Sequence, residues 1–182
     1  MILTEEEKDI LLDIAKNTIQ CRLDGKVPAE SSIESETLKA KRGAFVTLRK
    51  DEHLRGCIGC IDARDPLYRI VEEMAVASAF KDPRFPSLKH DELKYLTIEI
   101  SALTPLKLIK EINEIEVGTH GIYLVKGYHS GLLLPQVATE YAWDRFTFLE
   151  ETCCKAGLSP NAWKEKDTNI YIFSADVFSR HW

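Results

Sequence analysis

The sequence predicts an α+β protein, a mostly antiparallel sheet packed with helices. Runs of alternating residues at Ala44 to Leu48, Leu54 to Gly59, Tyr95 to Leu103, Ile122 to Val125, Leu132 to Leu134 and Asn169 to Val177 outnumber the helices that a βαβ alternation would need. The helical runs carry their own start and stop signals. With 182 residues, 45% of them apolar, the chain can bury the core of one ordinary domain, or of a domain with a smaller lobe.

The first helix is set by Thr4 and Glu7, which form a capping box, and by Glu5 to Glu7 at the positive end of the helix dipole. Ile10, Leu11, Ile14 and Thr18 then recur at helical spacing until Gly25, a natural stop. Lys26 to Lys41 has no sustained period and reads as a loop with one short turn of helix. Ala44, Val46 and Leu48 alternate with Phe45, Thr47 and Arg49, and Lys50-Asp51-Glu52-His53 turns this strand into a second one. Asp65 is expected to cap the next helix with Pro66 at its first position; Leu67, Ile70, Val71, Met74 and Ala77 mark its buried face as far as Phe80. Pro83 and Pro86 forbid helix beyond it and hold a stiff, extended loop bearing Asp82 and Arg84.

From Tyr95 to Leu103 the residues Leu96, Ile98, Ile100 and Ala102 alternate with Thr97, Glu99 and Ser101, a strand with two distinct faces. Ile122 to Val125 and Leu132 to Leu134 read as a hairpin joined through Gly127 and Gly131. Pro135 starts a helix, and Asp144 caps another in which Phe146, Leu149 and Cys153 share a face before Gly157. A last strand is expected from about Asn169 to Val177.

Several function classes are disfavoured. The net charge of −5 argues against general nucleic-acid binding, which depends on a basic surface. Lys39 to Lys89 is the exception: eleven Lys and Arg against seven Asp and Glu permit a local anion site. No run approaches the ~18 apolar residues of a membrane span, and the acidic start at Glu5 to Glu7 is unlike a signal peptide. A cytoplasmic protein is expected, its five cysteines reduced.

Leu54-Arg55-Gly56-Cys57-Ile58-Gly59 sets an arginine and a cysteine between two glycines inside a strand. Strand interiors avoid glycine, so something must approach this backbone closely or bend it. In a regular strand Arg55 and Cys57 share one face, with Leu54, Gly56, Ile58 and Cys60 on the other. Cys57 and Cys60, although spaced as C-x-x-C, then point apart, which disfavours a redox dithiol; adjacent Cys153 and Cys154 supply no complementary zinc pair. No metal or cofactor is expected. A guanidinium beside Cys57 favours a reactive thiol, but none of His53, His90, His120, His129 or His181 is marked by the sequence as its base. Glu99 interrupts an apolar strand and needs a cationic partner, for which Arg55 and Arg84 are candidates. Gln136, Glu140 and Asp144 fall at helical spacing after Pro135.

These segments resemble the AMMECR family. The signature at 54 to 59 is accompanied, in family order, by Asp82-Pro83-Arg84-Phe85-Pro86, Glu99-Ile100-Ser101, Leu133 to Ala138, Trp143-Asp144, and Thr152-Cys153 with Lys155 to Leu158. The resemblance covers nearly the whole chain and implies a single AMMECR-type domain over 1–182, α+β, in two unequal lobes with the signature near their junction. It implies no particular reaction. Its prokaryotic members are associated with a Memo-type protein and a radical S-adenosylmethionine protein, which makes both expected partners. Cys60 departs from the family pattern, which usually has another residue there.

The expected site is a cleft lined by Arg55, Gly56, Cys57, Gly59, Asp82, Arg84 and Glu99, with Gln136. Two functions fit it. One is an accessory module that binds a partner protein or a small anionic metabolite; the other is an enzyme in which Cys57 is the reactive thiol and Arg55 and Arg84 hold an anionic substrate. The missing base favours the module.

Overall fold

Thr4 caps the first helix as its sequence requires, its side chain accepting from the Glu7 amide while Glu7 returns a bond to the Thr4 N–H. The computed structural model describes residues 3–28, 32–61 and 64–182. Its elements follow in the order α1 (Glu5–Leu23), α2 (Glu36–Lys39), β1 (Ala44–Lys50), β2 (His53–Cys60), α3 (Leu67–Phe80), β3 (Leu96–Leu103), β4 (Lys107–Leu108), β5 (Gly121–Lys126), β6 (His129–Leu133), α4 (Pro135–Glu140), α5 (Arg145–Lys155), β7 (Asn169–Phe173) and β8 (Ala175–His181). A short 3-10 helix, His90–Tyr95, leads into β3. No helix among the described residues is long and apolar enough to cross a membrane.

The elements form two compact units, Met1–Leu103 with Asp176–Trp182, and Thr104–Ala175. In the first, a four-stranded sheet runs β2-β1-β3-β8, with α1 and α3 packed on one face. Its core joins Leu11, Ile14 and Ile19 of α1 and Ile70, Val71 and Met74 of α3 to Val46, Leu48, Ile98 and Ile100 of the sheet. In the second, the sheet order is β4-β7-β5-β6, and Phe148, Leu149 and Cys153 of α5 pack with Ile122, Leu124 and Ile172. Both sheets are built from antiparallel pairs, as the short, alternating runs demand.

Three local expectations need correction. Pro66, not Asp65, takes the position before α3, with φ −52 and ψ 142, because its extended backbone bridges to Lys41 and the Leu67 amide donates to the Ala40 carbonyl. The helix start is satisfied by backbone and needs no side-chain cap. The hairpin turns on Gly127 and Tyr128 alone, since Lys126 already pairs with His129; Gly131 lies within β6, where a Cβ would come 2.6 Å from the Thr152 carbonyl of α5. The predicted last strand is two strands in different sheets, parted at Ser174, whose N–H donates to the Thr104 hydroxyl and whose carbonyl accepts from the Thr104 amide. Asp144 caps α5 as its sequence suggests, and because α4 ends at Glu140 the helical spacing of Gln136, Glu140 and Asp144 does not set them on one helix.

Candidate functional site

β2 is an edge strand, so one side of its backbone has no strand neighbour. Its pairing with β1 is regular from Ala44–Cys60 to Leu48–Gly56 and resumes at Arg49–Leu54, which leaves Arg55 as a bulged, unopposed residue. Beyond the bulge, Gly56, Ile58 and Cys60 stand opposite the core residues Leu48, Val46 and Ala44, while Cys57 and Gly59 stand opposite Thr47 and Phe45. Both glycines answer to close approach. A Cβ on Gly56 would lie 2.1 Å from the Ser78 carbonyl of α3, and one on Gly59 would lie 2.0 Å from the Phe45 ring.

The bulge releases Arg55 from the alternation that would set it beside Cys57. Its side chain is only 9% exposed; Nε and Nη2 donate to the two carboxylate oxygens of Glu92, both at 2.9 Å, and Nη2 also reaches the Pro86 carbonyl at 2.9 Å. Arg55 Nη1 is buried without a hydrogen-bond partner, and the Phe85 ring centroid lies 6.0 Å from the guanidinium carbon. The Arg55 guanidinium, helped by the Lys89 amide and Lys50, holds the Glu92 carboxyl down to about 2 against the opposing pull of burial.

Asp82 and Arg84 close the open edge of β2 at Cys57. The Cys57 N–H donates to Asp82 Oδ2 at 2.9 Å, and the Cys57 carbonyl accepts from Arg84 Nη2 at 3.1 Å. The two side chains thus occupy the backbone positions that a neighbouring strand would fill. Asp82 is buried and takes the Arg84 guanidinium at 2.7 and 2.9 Å, together with the Arg84 amide at 3.1 Å. That guanidinium, with the Cys57 and Arg84 amides, holds the Asp82 carboxyl far below the usual carboxylate range although burial opposes it. The cation bonded at Cys57 is Arg84, itself stabilised chiefly by Asp82.

On the face away from the helices, Cys57, Thr47 and Glu99 form one row across β2, β1 and β3. The Thr47 hydroxyl donates to Cys57 Sγ at 3.2 Å. Glu99 pairs with Arg49 at 3.7 Å rather than with Arg55 or Arg84, a loose and partly wet contact. Among the described residues no histidine bonds the Cys57 thiol: His53 turns to the Asp51 carbonyl and His90 to Asp24. No group of His, Cys, Asp and Glu there is arranged to hold a metal ion.

The sequence-predicted residues therefore divide. Cys57, Asp82 and Arg84 are in direct contact, Glu99 joins them through Thr47, and Arg55 belongs to a neighbouring buried pair. Gln136 stands on α4 in the second unit, where its carbonyl accepts from the Thr139 hydroxyl at 2.8 Å. Glu92 and Thr47 were not expected. Thr47 carried a faint signal, since alternation sets it on the Phe45 face of β1; Glu92 carried none.

Cys60 packs against the first core, on the opposite face from Cys57, and no disulfide joins them. Cys60→Ala is expected to cost about 1 kcal/mol in urea unfolding, the scale of a small truncation in a packed interior. Mass spectrometry of the Cys57 to Cys60 peptide after mild oxidation should find no internal disulfide.

The profile of the AMMECR1 family matches residues 12–178. Protein MK0488 of Methanopyrus kandleri is 42% identical over 97% of this chain and 89% of its own length; Protein MJ0810 of Methanocaldococcus jannaschii is 40% identical over 97% and 92%. The crystal structure of an uncharacterised protein of Pyrococcus horikoshii, PH0010, has the same fold, with a TM-score of 0.89 and 38% identity over 99% of this chain and 94% of that one. The match spans both units and includes the bulged signature strand, its Asp82–Arg84 clasp and the cross-strand row, and on that ground the chain belongs to the AMMECR1 family.

Proposed function

We propose that the chain is an accessory binding module whose surface around Cys57, Thr47, Glu99 and Arg84 receives a partner protein or a small anionic metabolite without covalent chemistry. One observation carries this reading: the charged groups at the site are already matched within the molecule, Arg55 by Glu92, Asp82 by Arg84 and Glu99 by Arg49, and the thiol has a hydroxyl neighbour where a base would be needed. Such a charge-matched site is suited to recognition. Arg84, although paired with Asp82, has a side chain 54% exposed, so its guanidinium can still take a second, anionic partner. The family resemblance supplies the setting, a cytoplasmic pathway shared with a Memo-type protein and a radical S-adenosylmethionine protein.

The alternative is an enzyme using Cys57 as nucleophile, and the Arg84 guanidinium bonded to the Cys57 carbonyl favours it by placing a cation at that residue. Native mass spectrometry of the chain and its Cys57→Ser variant, both produced in the native host, separates the two. A binding module retains the same non-covalent ligand or partner in both. A mass added covalently to the unsubstituted chain and missing from Cys57→Ser would replace this reading with the enzyme.

A further inference from the structure

Tyr141 is 65% exposed and lies stacked on Trp143, the ring centroids 5.0 Å apart and the planes 18° from parallel. Trp143 packs against the second core, so the pair is anchored and the outer face of the Tyr141 ring meets solvent. The connection that presents it breaks two local rules. α4 closes in a Schellman turn, the Ala142 amide donating to the Thr139 carbonyl at 3.2 Å and the Trp143 amide to the Ala138 carbonyl at 2.8 Å. The left-handed position of that turn, which favours glycine, is Ala142 with φ +52. Glu140 sets a carboxylate at the negative end of the same helix. Choices that oppose local stability, gathered on both sides of an exposed ring, point to a role other than folding.

The charges of the segment indicate what is missing. Glu140-Tyr141-Ala142-Trp143-Asp144 sets two aromatic rings between two carboxylates. Elsewhere the chain covers such rings with its own cations: Arg69 over Tyr68, Lys94 over Tyr95, Lys164 over Trp163 and Lys16 over Trp182. Among the described residues no Lys or Arg stands over Tyr141 or Trp143, and none pairs with Glu140. Arg145, the nearest cation in sequence, is held by the Ile115 carbonyl at 2.9 Å. Tyr128 is bare as well, but no carboxylate adjoins it in the sequence.

We propose that this face receives an arginine of a partner protein, its guanidinium lying flat on the outer face of Tyr141 with an N–H edge turned to the Glu140 carboxylate. The sign of the flanking charges selects a cation and disfavours a nucleobase carried on a phosphate backbone. The flat, stacked pair selects guanidinium over ammonium. A plane lies on a plane, whereas a compact ammonium ion holds its water more tightly and is best taken by rings that enclose it. The face belongs to the second unit and is independent of the function proposed for the Cys57 surface. A single contact of this kind is weak, which sets the concentration range of its test.

Two-dimensional amide NMR of the full chain, titrated with a capped pentapeptide of glycine carrying two arginines, tests this. The same peptide with lysine, and with citrulline, which keeps the plane and loses the charge, gives the comparison. The expected result is movement of the amides of residues 140–144 and of the Trp143 indole N–H, half complete near about 1 mM arginine peptide. Lysine should bind there at least about threefold more weakly, and citrulline should leave these signals in place. Tyr141→Ala should weaken arginine binding about fivefold, while Tyr141→Phe, which keeps the ring, should hold it within about twofold. Arginine peptide that leaves residues 140–144 unmoved overturns the proposal. So does equal movement with lysine or citrulline, or a Tyr141→Ala variant that binds as the unsubstituted chain does. Should Tyr141→Ala fail to fold, the three peptides on the unsubstituted chain decide alone.

Discussion

Gly56→Val is expected to abolish the native fold or to cost more than about 4 kcal/mol, whereas Cys57→Ser in the next position should change stability by no more than about 1 kcal/mol. A Cβ at Gly56 would sit 2.1 Å from the Ser78 carbonyl oxygen, a backbone atom that no rotamer change can move. Relief requires α3 to lift from the sheet, and α3 carries Leu67, Ile70, Val71, Met74 and Ala75 into the core. Gly59→Val meets the Phe45 ring instead, and a half-buried side chain can rotate, so its cost should fall between the other two. Urea unfolding of the three variants at neutral pH gives the order directly. If Gly56→Val unfolds at the same urea concentration as the unsubstituted chain, close packing of α3 on β2 is not what the glycine serves.

Much of this arrangement was legible in the sequence where a local rule decides it. The Thr4–Glu7 box and the alternation in β1 and β3 each act within a few residues, and the structure agrees with them; the segment between the two prolines is helix-free as expected but turned rather than extended, since the Phe85 amide donates to the Asp82 carbonyl. The glycines announced a close approach but not what approaches, because Ser78 lies on a helix whose docking depends on the whole core. The bulge at Arg55 is invisible to a two-residue period, and it moved that arginine from the thiol to Glu92. The break at Ser174 was hidden in the same way: β7 and β8 continue one alternating run, and only their membership of different sheets separates them. Glu92 lacked any signal, since its partner is distant in the chain and the 3-10 helix that holds it has no distinguishing period.

Glu92→Gln is expected to cost about 3 to 5 kcal/mol, the penalty of leaving one member of a buried pair without its counter-charge. The Arg55 side chain is 9% exposed and that of Glu92 14%, so solvent can do little for the guanidinium once the carboxylate is gone. One of its nitrogens already lacks a partner. The double variant Arg55→Met, Glu92→Leu should recover most of the loss, because removing both charges removes the desolvation penalty with them. Acid unfolding supplies an independent reading. The Glu92 carboxyl is lowered from 4.5 to about 2 in the folded chain, so its contribution is complete above about pH 4.5 and is lost as the pH falls toward 2. Asp82 acts with the same sign further into acid, its carboxyl held lower by Arg84. Stability measured from pH 7 to pH 2 should therefore fall less steeply in Glu92→Gln than in the unsubstituted chain between about pH 4.5 and 2. Parallel curves through that interval would mean that the Arg55–Glu92 pair does not anchor the signature strand.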